Sequence, residues 1–338
     1  MEKIFGFSLS EGFMISDTTI LERFGNHYRR INEELERLLD SPVDLINEIG
    51  EHSLLGQGKR LRPLLFALSG QLCGYTGDDL FRLSTIFECL HTGSLLHDDV
   101  LDNAETRRKK PAAREVWGNH ASVLGGDFLY LKAIEMALDP GNLKLLQVLN
   151  ESSLQMVEGQ ILELMNTDNW ALSKEDYMEI IIDKTAALMS AACSCGAILA
   201  GAEQEAVENL NGFGLDLGIA FQLIDDVLDY TSCEEEFGKP VGKDLREGKI
   251  TLPLIYTLSG LEKDETQRLE ELFKKGTAGD RDYAEVIALV RSGKAIEKIR
   301  LEAEDHVAKA SGYLDYFAAS SVKDDLLALN DYIVDRRF

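Results

Sequence analysis

The chain has 338 residues, 45% of them hydrophobic and 28% charged, which suits a soluble globular protein long enough to bury a substantial core. Its formal net charge of −24 excludes a general nucleic-acid binder, because there is no surplus of cations for phosphate contacts. Five cysteines form an odd, sparse set that fits reduced thiols in a cytoplasm better than a disulfide framework.

The opening stretch MEKIFGFSLSEGFMISD has no basic region leading into an apolar one, so no signal peptide is expected and the protein is placed in the cytoplasm. Next, TILERFGNHYRRINEELERLLD spaces Ile20, Phe24, Tyr28, Ile31 and Leu35 three and four residues apart, which predicts an amphipathic helix. A break at SPVD precedes GKRLRP, which groups Lys59, Arg60 and Arg62. An apolar helical run then ends in LLHDDVLDNAETRR, Leu95 to Arg108, followed by Lys109, Lys110 and Pro111. A further break falls at DPGN, Asp139 to Asn142.

From Thr185 to Ala202 the uncharged stretch TAALMSAACSCGAILAGA is long enough to raise the question of a membrane span. Its small residues and its acidic flanks, Asp183 and Glu203, predict instead a buried central helix against which neighbours pack closely. The CxC formed by Cys193 and Cys195 lacks a second Cys or His pair and is read as packing. GLDLGIAFQLIDDVLDY repeats the amphipathic pattern through Leu217, Phe221, Ile224 and Leu228, with Phe213 leading in. FGKPVGKDLREGKITLP follows with Lys239, Lys243, Arg246 and Lys249, and DDLLALNDYIV closes the helical series. Sustained alternation is absent and no linker separates the segments, so a single all-α domain over residues 1–338 is expected.

The pentapeptide DDVLD occurs twice, each time at the end of an apolar helical run. At about 100° per residue, positions i, i+1 and i+4 project at roughly 0°, 100° and 40°. This predicts one acidic face from Asp98, Asp99 and Asp102 and another from Asp225, Asp226 and Asp229. One such face alone is as well explained by solvation as by metal binding. Two, each followed by clustered cations, point to divalent ions that clamp a phosphate-bearing molecule. Arg107 and Arg108 follow the first word and Lys239, Lys243, Arg246 and Lys249 the second, so grouped bases locally override the acidic field.

With these motifs in order (GKRLRP, HTGSLLHDDVLDNAETRR, GNHASVLGGDFLY, the Lys184–Thr185 pair, FQLIDDVLD and GKPVGKDLREGKITLP), the sequence resembles the all-trans polyprenyl diphosphate synthases from about Gly58 to Pro253. The resemblance implies an antiparallel helix bundle around a deep central cavity, built as a homodimer, with three Mg²⁺ ions per active site held by the six aspartates. It implies that Lys59, Arg62, His91 and Arg108 bind isopentenyl diphosphate. Arg107, Lys184, Thr185, Gln222, Lys239 and Lys249 would serve the allylic diphosphate, with Lys184, Thr185, Gln222 and Arg107 closest to the chemistry. Many relatives carry glycine after the paired arginines, where this chain has Lys109. A Gly- and Lys-containing stretch from Phe237 to Ile250 is expected to form a lid over the phosphates.

Without such a resemblance, a histidine like His91 in an apolar helix would be read as core. Ser94 lies one turn before Asp98, about 6 Å deeper along the helix. Short-chain relatives place bulky aromatics near here, so Gly93 and Ser94 are expected to leave the cavity floor open, with Phe87 a second stop roughly 16 Å below Asp98. A product of geranylgeranyl length or longer is expected, in the hexa- to octaprenyl range. The alternatives are a short-chain farnesyl or geranylgeranyl synthase, a terpene cyclase, or a non-catalytic synthase subunit.

Overall fold

The amphipathic stripes of the sequence become the contact faces of a helical bundle. A computed structural model describes residues 15–56, 58–108, 110–232, 241–274 and 276–335. Helix α1 (Ile15–Arg37) turns Phe24, Ile31 and Leu35 inward, all completely buried. It is followed by α2 (Asp44–Leu54), α3 (Leu61–Leu72) and α4 (Leu80–Leu101). After a two-residue antiparallel ladder pairing Thr106 with Pro111 and Arg107 with Lys110, the chain continues into α5 (Ala113–Leu138), which bends at Gly118 (φ 82°, ψ 164°). Then come α6 (Leu143–Met165), α7 (Lys174–Ile181), a π-helical turn (Ile182–Ala186), α8 (Ala187–Leu199) and α9 (Gln204–Thr231). Beyond α9 lie Lys243–Arg246, Leu252–Ser259, Lys263–Lys274, Asp280–Ser292, Ala295–Tyr313 and Ser321–Asp335.

Residue pairings give the directions. Along α4, Arg82, Thr85 and His97 meet Asp139, Met136 and Val123 in descending order, so α4 and α5 are antiparallel. Ser190 of α8 donates to the carbonyl of Asn211, while Ala186, at the head of α8, lies against Gly218, so α8 and α9 are antiparallel too. His306 pairs with Asp216 at 2.5 Å and Tyr313 abuts Gly212, setting the helix Ala295–Tyr313 antiparallel to α9. The buried apolar side chains form one contiguous cluster running from Phe24 to Ile333.

Helix α8 lies at the centre of this cluster, with every residue from Ala187 to Ile198 buried. The continuous helical stretch Lys174–Leu199 is apolar enough to cross a membrane, yet its most apolar window is 83% buried inside the protein. Core packing therefore accounts for it. Cys193 and Cys195 are buried free thiols, and burial pushes the Cys193 thiol up to about 12, which keeps it protonated and inert.

One buried ion pair ties the cationic loop to the first acidic helix. Arg60, 4% exposed, donates from Nη1 to Glu88 of α4 at 2.5 Å and from Nη2 to the carbonyl of Leu54 at 2.6 Å. Its φ of 47° and that of Arg108, 50°, are left-handed, a costly conformation for residues with a Cβ. Both strained residues belong to the basic loops that border the cavity described next.

Candidate active site

A cavity of about 720 Å³ lies where α4, α6, the π turn and α9 converge. It gathers residues from distant parts of the chain: Arg62 and His91, Asp98 and Asp102, Arg107 and Arg108, Lys184 and Thr185, Gln222 with Asp225, Asp226 and Asp229, and Lys249. Ser94, Tyr130, Met156, Val157, Ile161 and Phe221 supply much of the less polar wall. Lys59 stands apart, exposed, its ammonium 5.9 Å from the ring centre of Tyr332. Lys109 and Lys239 fall outside the described residues, as do positions 237–240 of the expected lid.

The six aspartates are not equivalent, which corrects the expectation of two uniform carboxylate faces. At i+1 from Asp98, Asp99 is turned away from the cavity, 2% exposed, and accepts from Arg107 Nε at 2.8 Å and Nη2 at 2.5 Å. Asp226 accepts from the Tyr177 hydroxyl at 2.5 Å and from the Gln222 amide at 2.8 Å. Asp229 accepts the backbone N–H groups of Lys243 and Asp244 at 3.1 and 3.2 Å, anchoring the segment that follows α9. Asp98 and Asp102, one helical turn apart, line the cavity from the end of α4, and Asp225 lines it from α9.

Two electrostatic environments share this space. On one side, burial pushes the Arg62 guanidinium down to about 10 and lowers that of Arg108. Burial, reinforced by Arg62, Arg108, Arg107 and Arg60, drives His91 well below its ordinary value, so it is neutral. Arg62 Nε is buried without a hydrogen-bond partner, an orphaned donor suited to an incoming anion. On the other side, burial raises the carboxyls of Asp98 and Asp226, the latter strongly, with Asp244 adding to it. Burial lowers the Lys249 ammonium, but Glu163, Asp102 and Glu247 outweigh that and hold it above its ordinary value. Lys249 lies 3.2 Å from Asp102, and Lys184 lies 2.5 Å from Glu163. These lysines partly neutralise a carboxylate cluster that still calls for positive charge.

That donor set fits hard divalent cations: among the described residues it is carboxylate oxygen, with no thiol lining the cavity. Among the described residues no three acidic side chains already converge as a cage. Mg²⁺ takes one or two protein carboxylates and fills its remaining positions with water and phosphate oxygens.

Several positioning features carry no signal in the sequence pattern. Lys184 and Thr185 sit on the π turn, a local irregularity that periodicity does not reveal. It is gripped from both sides by glycines: a Cβ on Gly159 of α6 would come 2.5 Å from the Lys184 nitrogen, and one on Gly218 of α9 would come 2.6 Å from the Ala186 Cα. Glu163 and Tyr177, partners of Lys184 and Asp226, lie on regular helices and carry no signal because those partners belong to other elements.

The expected floor also needs correction. Gly93 is buried and leaves no opening, because a Cβ there would come 2.8 Å from Tyr130 Cδ2, so the tyrosine ring fills the space. Phe87 is completely buried 5.6 Å from the Phe66 ring and does not line the cavity. Ser94 does line it, its hydroxyl donating to the His91 carbonyl at 2.8 Å.

The pattern of the family described as Polyprenyl synthetase matches residues 43–290. Octaprenyl diphosphate synthase of Escherichia coli K12 is 38% identical over 306 residues, covering 90% of this chain and 94% of that protein. A short chain isoprenyl diphosphate synthase of Methanothermobacter thermautotrophicus is 34% identical over 309 residues, covering 89% and 94%. The fold matches the crystal structure of a polyprenyl synthase from Caulobacter crescentus CB15 complexed with calcium and isoprenyl diphosphate, with a TM-score of 0.89 and 36% identity over 95% of this chain and 98% of that one.

The neutral His91 has a measurable consequence. Its pKa is depressed in the folded state, so the unfolded chain binds more protons below about 6.5, and stability falls as pH falls through that region. His91→Asn removes this group. Urea unfolding at pH 7, 6 and 5 should show wild type losing stability relative to the variant, by at most about 1.4 kcal/mol per pH unit. A difference that stays constant across this range contradicts the assignment.

Proposed function

The chain belongs to the polyprenyl synthetase family and is a prenyltransferase, and from that premise we propose that it condenses isopentenyl diphosphate with an allylic diphosphate, repeating the addition to a hexa- to octaprenyl product. The carrying observation is the partition of one cavity into a carboxylate side, Asp98, Asp102 and Asp225, and a guanidinium side holding the orphaned Arg62 Nε. The first suits a diphosphate that arrives with cations, the second one that arrives without them. A terpene cyclase, with a single diphosphate to hold, has no use for the second.

Asp98 on α4, Asp102 at its C-cap and Asp225 on α9 are the residues that would hold Mg²⁺, three ions per site, with Asp99, Asp226 and Asp229 positioning the surrounding structure. When bound, the ions withdraw electron density from the leaving diphosphate and template its departure. Lys184, Lys249 and Arg107 orient the allylic diphosphate as the C–O bond breaks. Arg62, Arg108 and His91 hold isopentenyl diphosphate so that its double bond faces the developing allylic cation. A neutral His91 donates one hydrogen bond without adding to an already crowded positive cluster. Gln222, whose carbonyl accepts from Thr185 at 3.0 Å, presents a fixed dipole to positive charge. Buried apolar walls at Met156, Leu172 and Ile181 exclude water, which would quench the cation. The proton released after the new C–C bond forms passes to the departed diphosphate.

The long-product reading is supported by the small Ser94 side chain on the cavity wall and by the likeness to an octaprenyl synthase. The homodimer reading is supported by a broad apolar surface on α5 and α6: Leu124 and Leu131 are each 66% exposed and Met165 74%, with Leu138, Leu154, Ile161 and Leu164 beside them. Free cysteines and a buried apolar helix support a cytoplasmic setting.

Incubation with labelled isopentenyl diphosphate, an allylic primer and Mg²⁺ should yield acid-stable polyprenyl product, and chelation should abolish it. No incorporation would contradict the proposal. Asp225→Ala should lower kcat by about 1,000-fold, with primer KM changing much less, because metal assistance grows as charge develops. An equal loss through KM alone would place Asp225 in simple binding. Ser94→Phe should release shorter chains, read by chromatography of the dephosphorylated products; unchanged length would show that growth does not pass this wall.

A further inference from the structure

A line of hydrogen bonds runs beneath the second acidic face. The Tyr177 hydroxyl donates to Asp226 Oδ2 at 2.5 Å, the Gln222 amide donates to Asp226 Oδ1 at 2.8 Å, and the Thr185 hydroxyl donates to the Gln222 carbonyl at 3.0 Å. Both Asp226 oxygens are thereby bracketed, and Gln222 can satisfy Asp226 and Thr185 together in only one amide orientation. Tyr177 and Thr185 flank the start of the π turn in one stretch of chain, and Gln222 and Asp226 lie one turn apart on α9. The line therefore straps the Lys184-bearing turn to the helix that presents Asp225.

Tyr177 is itself held rigidly. Its helix is capped by Ser173, whose hydroxyl oxygen accepts from the Asp176 N–H at 3.0 Å, and Lys174 pairs with Glu302 at 2.8 Å. The ring is 3% exposed, yet the residue borders the cavity. A buried phenol that spends its only proton on an acidic-face carboxylate does more than fill volume, which phenylalanine would do equally well.

We propose that Tyr177 is a positioning residue for the metal-dependent half of the site: by fixing Asp226, and through it Gln222 and Thr185, it sets how Asp225 and Lys184 meet the diphosphate and its cations. This rests on the function proposed above. Loss of the hydroxyl frees the Asp226 side chain to rotate and the Gln222 amide to flip, without touching the Arg62–His91 side.

The test is Tyr177→Phe. The Mg²⁺ concentration for half-maximal condensation should rise about 10-fold, the scale of lost outer-shell support at metal sites. The rise in melting temperature caused by Mg²⁺ plus inorganic diphosphate should shrink, while KM for isopentenyl diphosphate stays within about two-fold of wild type. In an Asp226→Ala background the same change should add nothing. Wild-type magnesium dependence and wild-type thermal shift in Tyr177→Phe, or a full additional loss in the Asp226→Ala background, would overturn the role. Should Tyr177→Phe fail to fold, Gln222→Met, which cuts the other bond to Asp226 at similar length, should raise the magnesium requirement comparably, and an unchanged requirement would overturn it. A wild-type protein without magnesium-dependent condensation would overturn the proposed function as well, whereas a condensing wild type beside an unaffected Tyr177→Phe would remove only this inference.

Discussion

Carboxylates crowded into a protein cavity repel one another and lose hydration, and the site is organised around that cost. Two helices, α4 and α9, bring their acidic ends to the same cavity although more than a hundred residues separate them in sequence. Burial first, and neighbouring carboxylates after it, raise the Asp98 and Asp226 carboxyls, so added positive charge would relieve the arrangement. Nearby lysines answer part of the demand, and in the proposed function divalent ions carried with a diphosphate would answer the remainder. Stabilisation of that leaving group is in this sense the counterpart of the protein's own electrostatic strain.

The same logic separates the roles of the six aspartates. Asp99, Asp226 and Asp229 each have their acceptor capacity directed at a guanidinium, at a phenol and an amide, or at backbone N–H groups. They fix the basic hairpin, the π turn and the segment after α9 relative to the other three. Asp98, Asp102 and Asp225 stand on that scaffold. In the proposed function a repeated five-letter word thus serves two roles, divided by which way each side chain points.

Much of the fold was legible because amphipathic periodicity and burial agree in α1 and α9, where Phe24 and Phe213 are buried, and because small residues all round marked α8 as a central helix. The cavity residues on regular helices were legible too, since Asp98, Asp102 and Asp225 follow from helical projection. Projection was less informative at Asp99, because 100° of rotation is enough to hand a side chain to a different neighbour, here Arg107. It failed at Gly93, where spare volume was expected and Tyr130 of another helix fills it, and at Phe87, which packs on Phe66. Sequence spacing carries no record of which helix lies opposite. The π turn, Glu163 and Tyr177 were hidden for a related reason: their roles exist only across elements.

The most direct test of the central claim is the position of bound metal. Crystals grown with Mn²⁺ and inorganic diphosphate should show anomalous peaks at metal–oxygen distances of about 2.2 Å from Asp98, Asp102 and Asp225. Asp99 should remain on Arg107 and Asp229 on the Lys243 and Asp244 amides. Peaks bound to Asp99 or Asp229 instead, or metal on one acidic helix with the other left unengaged, would contradict the account.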